Sequence, residues 1–332
     1  MNKYVELPLV TPLYETYHNQ GSATAIIANN PSIRNWYLNN AVNLVCNRKF
    51  LRGYTSPEVD VQYSSWTALP YIEEKWYYMK YLNGHINSVI KNLIDDGYYV
   101  FYSGIDDYYV KGKSWYKEKH FNHDGMICGY NREDSTFCIY AYDSNWKYQK
   151  FWTTQKSFDA GRRAAFKQGV YGCINGIKPK NDSVRFSATV ALKKIEEYLD
   201  SNIDKYPEDG EDLVYGIVVH DYIIKYLNML IDGSIPYERM DRRIFRLIWE
   251  HKKVMLERIQ CVEKSRELGN EISILYAPLI SIADDMRMMY ASYHRRRRDS
   301  ILTVINGKLL LLKEKERALL EELLKRTQGG AK

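Results

Sequence analysis

The sequence predicts an α+β N-terminal half, to about residue 180, followed by an all-helical C-terminal half. Three observations carry this reading. Apolar residues recur at helical spacing between residues 30 and 94. Short β-rich runs separated by polar turns then fill residues 98 to 152. Beyond residue 180 the texture becomes long, amphipathic and helical.

Asn30-Pro31 starts a helix in the favoured way, a capping residue followed by proline in the first turn. Ile33, Trp36, Tyr37, Ala41, Leu44 and Val45 continue it, which places Cys46 near its end. A second helix carries Ile86, Val89, Ile90, Leu93 and Ile94, with Gly97 as its C-terminal stop. The period then changes. Tyr98 to Tyr102 reads as a strand ended by Ser103-Gly104. Met126–Tyr130, Thr136–Tyr140 and Lys147–Trp152 read as further strands of an antiparallel meander. Helices first and strands afterwards indicate α+β rather than alternating α/β.

Gly176 to Asp182 reads as a linker, so the expected domains are 1–180 and 181–332. Helices are expected at about 184–202, 211–232, 238–268, 270–293 and 299–326. The breaks fall at Pro207 to Gly210, Gly233 to Pro236 and Gly269-Asn270. The last helix places Ile301, Ile305, Leu309, Leu312, Leu319 and Leu323 on one stripe, which packing within the chain or a homodimer interface would explain.

Charged residues make up 27% of the 332 and hydrophobic residues 45%, a globular balance. No apolar run is long enough to span a bilayer, and the first residues lack the apolar stretch of a secretory signal. The five cysteines are irregularly spaced, with no CxxC pair, so a cytoplasmic protein with reduced thiols and no metal is expected. The formal charge is +6, and most of the excess lies before residue 180, with 21 basic and 16 acidic residues. That is too mild to require nucleic acid and suits an acidic partner or substrate. Tyrosine is the compositional oddity: 21 of 30 fall before residue 180, which fits aromatic sheets and concave surfaces. No Walker A or GxGxxG pattern occurs.

The chemistry-bearing stretch runs from His120 to Ser144. A histidine, His123, opens one strand, which ends in Gly129-Tyr130-Asn131, and the next strand ends at Asp143. A carboxylate beside an imidazole fixes its tautomer and favours its cation, making a base with an orienting acid. Asp143 is the first choice for that acid, with Asn145 and Asp124 as alternatives. His120 reads as a surface or loop residue. His251 reads as a buried, hydrogen-bonded histidine, and Arg295 to Arg298 as a charged turn or an electrostatic dock.

At these residues the sequence resembles the papain-like cysteine-peptidase superfamily, in the branch of the butirosin biosynthesis protein H N-terminal domain. The resemblance takes in Trp36 to Asn40, Asp106 to Val110 and Trp115 to Lys117, and covers most of residues 14–178. It implies acyl transfer, or amide formation or cleavage, on an aminoacyl or peptidyl group. That group would be held by the phosphopantetheine of a carrier protein or nonribosomal peptide synthetase, in nonribosomal peptide or aminoglycoside assembly. No other cofactor is implied. His123 matches the family histidine and Asp143 its acid.

The departure lies at the nucleophile. The family's cysteine belongs at the start of the first helix, where the helix N-terminus lowers its pKa. Residues 15–24 contain no cysteine. Thr16 and Ser22 are the hydroxyls near that place, and Ser22 also has the look of a helix N-cap. His18, Gln20, Tyr17, Trp36 and Asn145 are the residues expected around the substrate. A direct attack by the acceptor amine, with His123 taking its proton, needs no cysteine. The rival expectation is a catalytically degenerate scaffold that binds a carrier protein, peptide or synthetase, its cleft filled by side chains such as Tyr17 or Trp36.

Overall fold

The structure is a computed structural model and describes residues 2–27, 30–53, 56–62, 71–82, 84–180, 183–201 and 212–329. In chain order its elements are β1 (Tyr4–Glu6), α1 (His18–Ile27), α2 (Pro31–Asn40), β2 (Leu44–Asn47), β3 (Asp60–Val61), β4 (Ile72–Tyr78), α3 (Ile86–Asp95), β5 (Tyr99–Asp106), β6 (Asn122–Asn131), β7 (Thr136–Tyr142), β8 (Tyr148–Thr154), α4 (Gln155–Lys167) and β9 (Cys173–Pro179). There follow α5 (Ala188–Asp200), β10 (Leu213–Tyr215), α6 (Val219–Ile231), α7 (Ile244–Ser265), α8 (Glu271–Arg296) and α9 (Asp299–Gly329). The class is α+β. The chain forms two compact units, Met1–Arg34 with Ser65–Ser183, and Asn35–Ser64 with Val184–Lys332.

In the first unit the described strands form one antiparallel sheet in the order β4-β9-β5-β6-β7-β8, with β1 added on β6. Phe137, Ile139 and Ala141 of β7 face a core shared with Ile90 and Leu93 of α3 and Phe158 of α4. Cys138 and Tyr140 alternate to the other face, where α1 packs on β6 and β7. α3 buries Ile86, Ile90, Leu93 and Ile94, and stops as expected at Gly97, whose φ of 83° is left-handed. Thr154 caps α4 by accepting the Ser157 N–H at 3.1 Å.

Several expectations need correction. β5 does not end at Ser103-Gly104; Gly104 sits at φ 66° within an irregularity between Tyr102 and Ile105, and the strand continues to Asp106. The stretch expected to be a linker begins inside β9, which pairs with both β4 and β5. Leu44, Val45 and Cys46 are strand β2, because α2 stops at Asn40. Leu213 to Tyr215 form a strand on β2 rather than the start of a helix. The break expected at Pro207 to Gly210 lies outside the described residues.

In the second unit α9 buries Leu302, Ile305, Leu309, Leu312, Leu320 and Leu323 against α6 and α8. The stripe is displaced by one residue at Ile301 and Leu319, and packing inside the unit uses it. Glu316 interrupts it and is fully buried. Its carboxylate receives Lys252 Nζ at 2.6 and 2.8 Å, Tyr198 Oη at 2.9 Å and Tyr276 Oη at 2.6 Å. The expected burial of His251 is found: its Nε2 lies 2.8 Å from the Val42 carbonyl. Arg297 ends α8 in the left-handed region and lies over Tyr237.

Candidate active site

The corner after β5 builds the site. Asp106 accepts the Tyr108 N–H at 3.1 Å and so caps the turn Asp107–Tyr109. The Asp107 N–H donates to the Phe121 carbonyl at 2.9 Å, which ties the turn to the approach to β6. Ile105 pairs with His123 across the strands, so Asp107 arrives beside His123. Helix α4 closes on this corner through Gly161, where a Cβ would stand 2.7 Å from the Asp106 carbonyl oxygen.

His123 Nδ1 lies 3.4 Å from Asp107 Oδ2; the imidazole is 31% exposed and the carboxylate fully buried. Lys113, itself buried, reaches Asp107 Oδ1 at 3.3 Å and donates to the Asp124 carbonyl at 2.7 Å. The acid facing His123 is therefore Asp107, where the sequence reading expected Asp143. Asp143 is engaged in its own turn: its Oδ1 accepts the Asn145 and Lys147 N–H groups and its Oδ2 accepts Gln149 Nε2. Burial opposes the Asp143 charge, but these donors outweigh it and hold the carboxyl below the usual range. Asn145 is exposed and serves that turn. Burial pushes the Asp124 carboxyl up, against the charges of His123 and Lys113.

The start of α1 carries a buried imidazole. His18 is the first residue of α1 and is buried. Its ring meets His123 edge-on, with Tyr142 and Tyr148 closing two more sides at 5.4 and 5.5 Å. Neither ring nitrogen has a hydrogen-bond partner among the described residues. Burial, with the charges of Lys113 and His123, brings the His18 pKa well below the usual imidazole range. The positive end of α1 disfavours a cation there as well. The partly exposed imidazole beside the buried Asp107 carboxylate is that of His123.

Ser22 is not an N-cap. It lies in the second turn of α1, fully buried, with its Oγ 3.2 Å from the Tyr148 hydroxyl. That tyrosine also donates to the His18 carbonyl, and it fits against α1 because Gly21 has no side chain. Thr16 and Gln20 are buried as well, and Tyr17 is half-buried. Trp36 belongs to α2 within the second unit.

The sequence reading missed Asp107, Lys113 and a second pair. His120 is the exposed loop residue expected; its Nδ1 lies 2.7 Å from Asp106 Oδ2 and its ring stacks on Tyr108. Asp107 directly follows the end of β5, and the pairing of β5 with β6 sets that end against His123 at the start of the next strand. Among the described residues no group of three or more His, Cys, Asp or Glu could hold a metal ion. No helix among them is long and apolar enough to cross a membrane.

No protein-family model matches the chain, and no curated protein matches it at a significant level.

Proposed function

We propose that the first unit is a papain-like acyl-transfer domain that acts on a carrier-bound aminoacyl or peptidyl group in secondary-metabolite assembly. The observation that carries the reading is His123, partly exposed, with its Nδ1 facing the buried carboxylate of Asp107. An acid behind an imidazole orients the ring and stabilises its cation. Lys113 keeps that acid in place from the other side.

The acceptor amine itself is the nucleophile. Its nitrogen attacks the thioester carbonyl carbon while His123 takes the amine proton. The C–S bond then breaks, an amide forms, and His123 returns the proton to the departing thiolate of the carrier's phosphopantetheine. Residues 15–24 supply no thiol, and the Ser22 hydroxyl is committed to Tyr148. The chemistry therefore relies on proximity and general base catalysis.

A second reading has its own observation. His18 occupies the start of α1, the place the resemblance gives to a cysteine, and it is packed between rings. That suits a degenerate scaffold which binds a carrier protein, peptide or synthetase without chemistry.

The test is to incubate the full chain with an aminoacyl-loaded carrier protein and an amine, and follow carrier unloading by mass spectrometry. Acyl transfer predicts turnover that falls by at least about a hundredfold in His123→Ala. Full turnover in that variant would refute it. Carrier binding without turnover would leave the scaffold reading.

A further inference from the structure

The turn between β7 and β8 holds a large side chain where folding alone favours a small one. Trp146 sits there at φ 58°, in the left-handed region that suits glycine or asparagine. Its N–H donates to the Asp143 carbonyl at 2.9 Å. The Asp143 side chain secures the turn on both sides of it, accepting the Asn145 and Lys147 N–H groups at 2.8 and 2.9 Å. The indole so presented is 56% exposed. A bulky residue held in a strained conformation and left largely in water points to a task other than packing.

The indole belongs to a row of rings. Lys113 pairs with Asp143 as an isolated β-bridge, and the Ser144 N–H donates to the Gly112 carbonyl at 2.9 Å, so the segment after β5 lies along the turn. That segment brings Trp115, whose ring centre is 5.2 Å from that of Trp146, edge to face. Trp115 meets Phe121 at 6.4 Å, and Phe121, itself 38% exposed, meets His123 at 4.8 Å. The row thus starts at the imidazole that faces Asp107 and ends at an exposed indole. Lys119 is exposed and carries its Nζ over two of the rings, 5.5 Å from the centre of Trp115 and 5.9 Å from that of Phe121.

The chemistry of the row decides what suits it. Aromatic rings gain more from another ring, edge to face or offset, than from an aliphatic chain. Lys119 already offers these faces an ammonium, so a second cation gains least there. Distance decides which part of a substrate lies on it. In an aminoacyl thioester the side chain leaves the carbon next to the carbonyl, within a residue's length of the group that takes the proton. Phe121 lies within that reach of His123. The phosphate of a pantetheine arm is many bonds further away.

We propose that Phe121, Trp115 and Trp146 form a subsite for an uncharged aromatic side chain on the acyl group, beside His123. That the ring belongs to the acyl group rests on the acyl-transfer reading; that an aromatic ring binds here does not.

The test uses the full chain and N-acetylphenylalaninamide, followed by the NMR shifts of the His123 ring. Expected is a saturable shift, with affinity about tenfold or more above that for the alanine and lysine counterparts. Phe121→Ala/Trp146→Gly should weaken the phenylalanine compound by about tenfold. Both side chains are exposed and glycine suits the turn, and circular dichroism checks that the variant folds. Carrier unloading is then compared for phenylalanyl and alanyl groups: the phenylalanyl group should be preferred, and the double variant should lose the preference. No shift at His123, equal affinity for the three compounds, or unchanged binding in the double variant would each overturn the subsite. Aromatic-selective binding with no turnover of either carrier would uphold the subsite and count against acyl transfer alone.

Discussion

The rings of His18 and His123 meet edge-on, with centroids 4.4 Å apart and planes at 76°. One is buried, with no hydrogen bond among the described residues; the other is partly exposed and backed by a carboxylate. Burial, with the charges of Lys113 and His123, brings the His18 pKa well below the usual imidazole range. Nitrogen-15 NMR of the histidine rings tests this. His18 should stay neutral as the pH is lowered from 8 to 6, and its protonation there would show that the assignment is wrong.

Lys113→Met should destabilise the first unit by about 3–5 kcal/mol, because it leaves the buried Asp107 carboxylate without its cation. Adding Asp107→Asn removes that charge, and the double variant should recover part of the loss. Urea unfolding of the three variants provides the comparison.

Gly161→Ala places a methyl group 2.7 Å from the Asp106 carbonyl oxygen and 2.9 Å from Ile105 Cγ2. Helix α4 has to move off the corner that carries Asp106 and Asp107. The expected cost is about 1–3 kcal/mol in thermal or urea unfolding. If carrier unloading occurs, it should fall more than stability does.

Ser22→Ala should leave any acyl transfer intact and cost about 1 kcal/mol through the lost contact with Tyr148. A fluorophosphonate probe should not label the protein. Labelling that disappears in Ser22→Ala would restore a serine nucleophile.

Acid should weaken the second unit in two stages. Burial, aided by the Lys252 charge, brings His220 down to about 4. The unfolded chain therefore takes up this proton first, and the associated stability is complete above pH 6.5 and lost as pH falls towards 4. Burial opposes the Glu316 charge, but Lys252, His220 and His251 outweigh it and hold the carboxyl at about 2. That contribution is present above the ordinary glutamate value of 4.5 and is lost between there and 2. Thermal midpoints measured across this range should decline through both windows. Glu316→Gln should remove the lower stage.

What could be read from the sequence was whatever local pattern controls. The stop at Gly97, the strands at 126–130 and 136–140 and the long C-terminal helices follow from periodicity and turn chemistry. β9 was misread because Gly176, Lys178 and Pro179 look like a linker, yet that glycine sits in a strand where Leu93 of α3 lies close above it. Cys46 was placed on a helix because a run such as Leu44 to Cys46 serves helix and strand equally; pairing with β3 and β10 decides it. At the site His123 was visible as the opening of a strand. Its acid was not, because the nearest carboxylate depends on which neighbouring strand supplies it. The meander suggested β7 and its Asp143, whereas the extension of β5 past Gly104 delivers Asp107.

Glu316 has a consequence for how α9 can sit. A helix faced only with leucine and isoleucine could slide along its neighbours by a turn, about 5.4 Å, and still bury an apolar surface. Glu316 removes that freedom. After such a slide its carboxylate would lie against side chains that cannot donate to it, and Lys252, Tyr198 and Tyr276 would face a leucine. One charged residue in an oily seam thus acts as a dowel: it sets the depth to which the last helix is inserted.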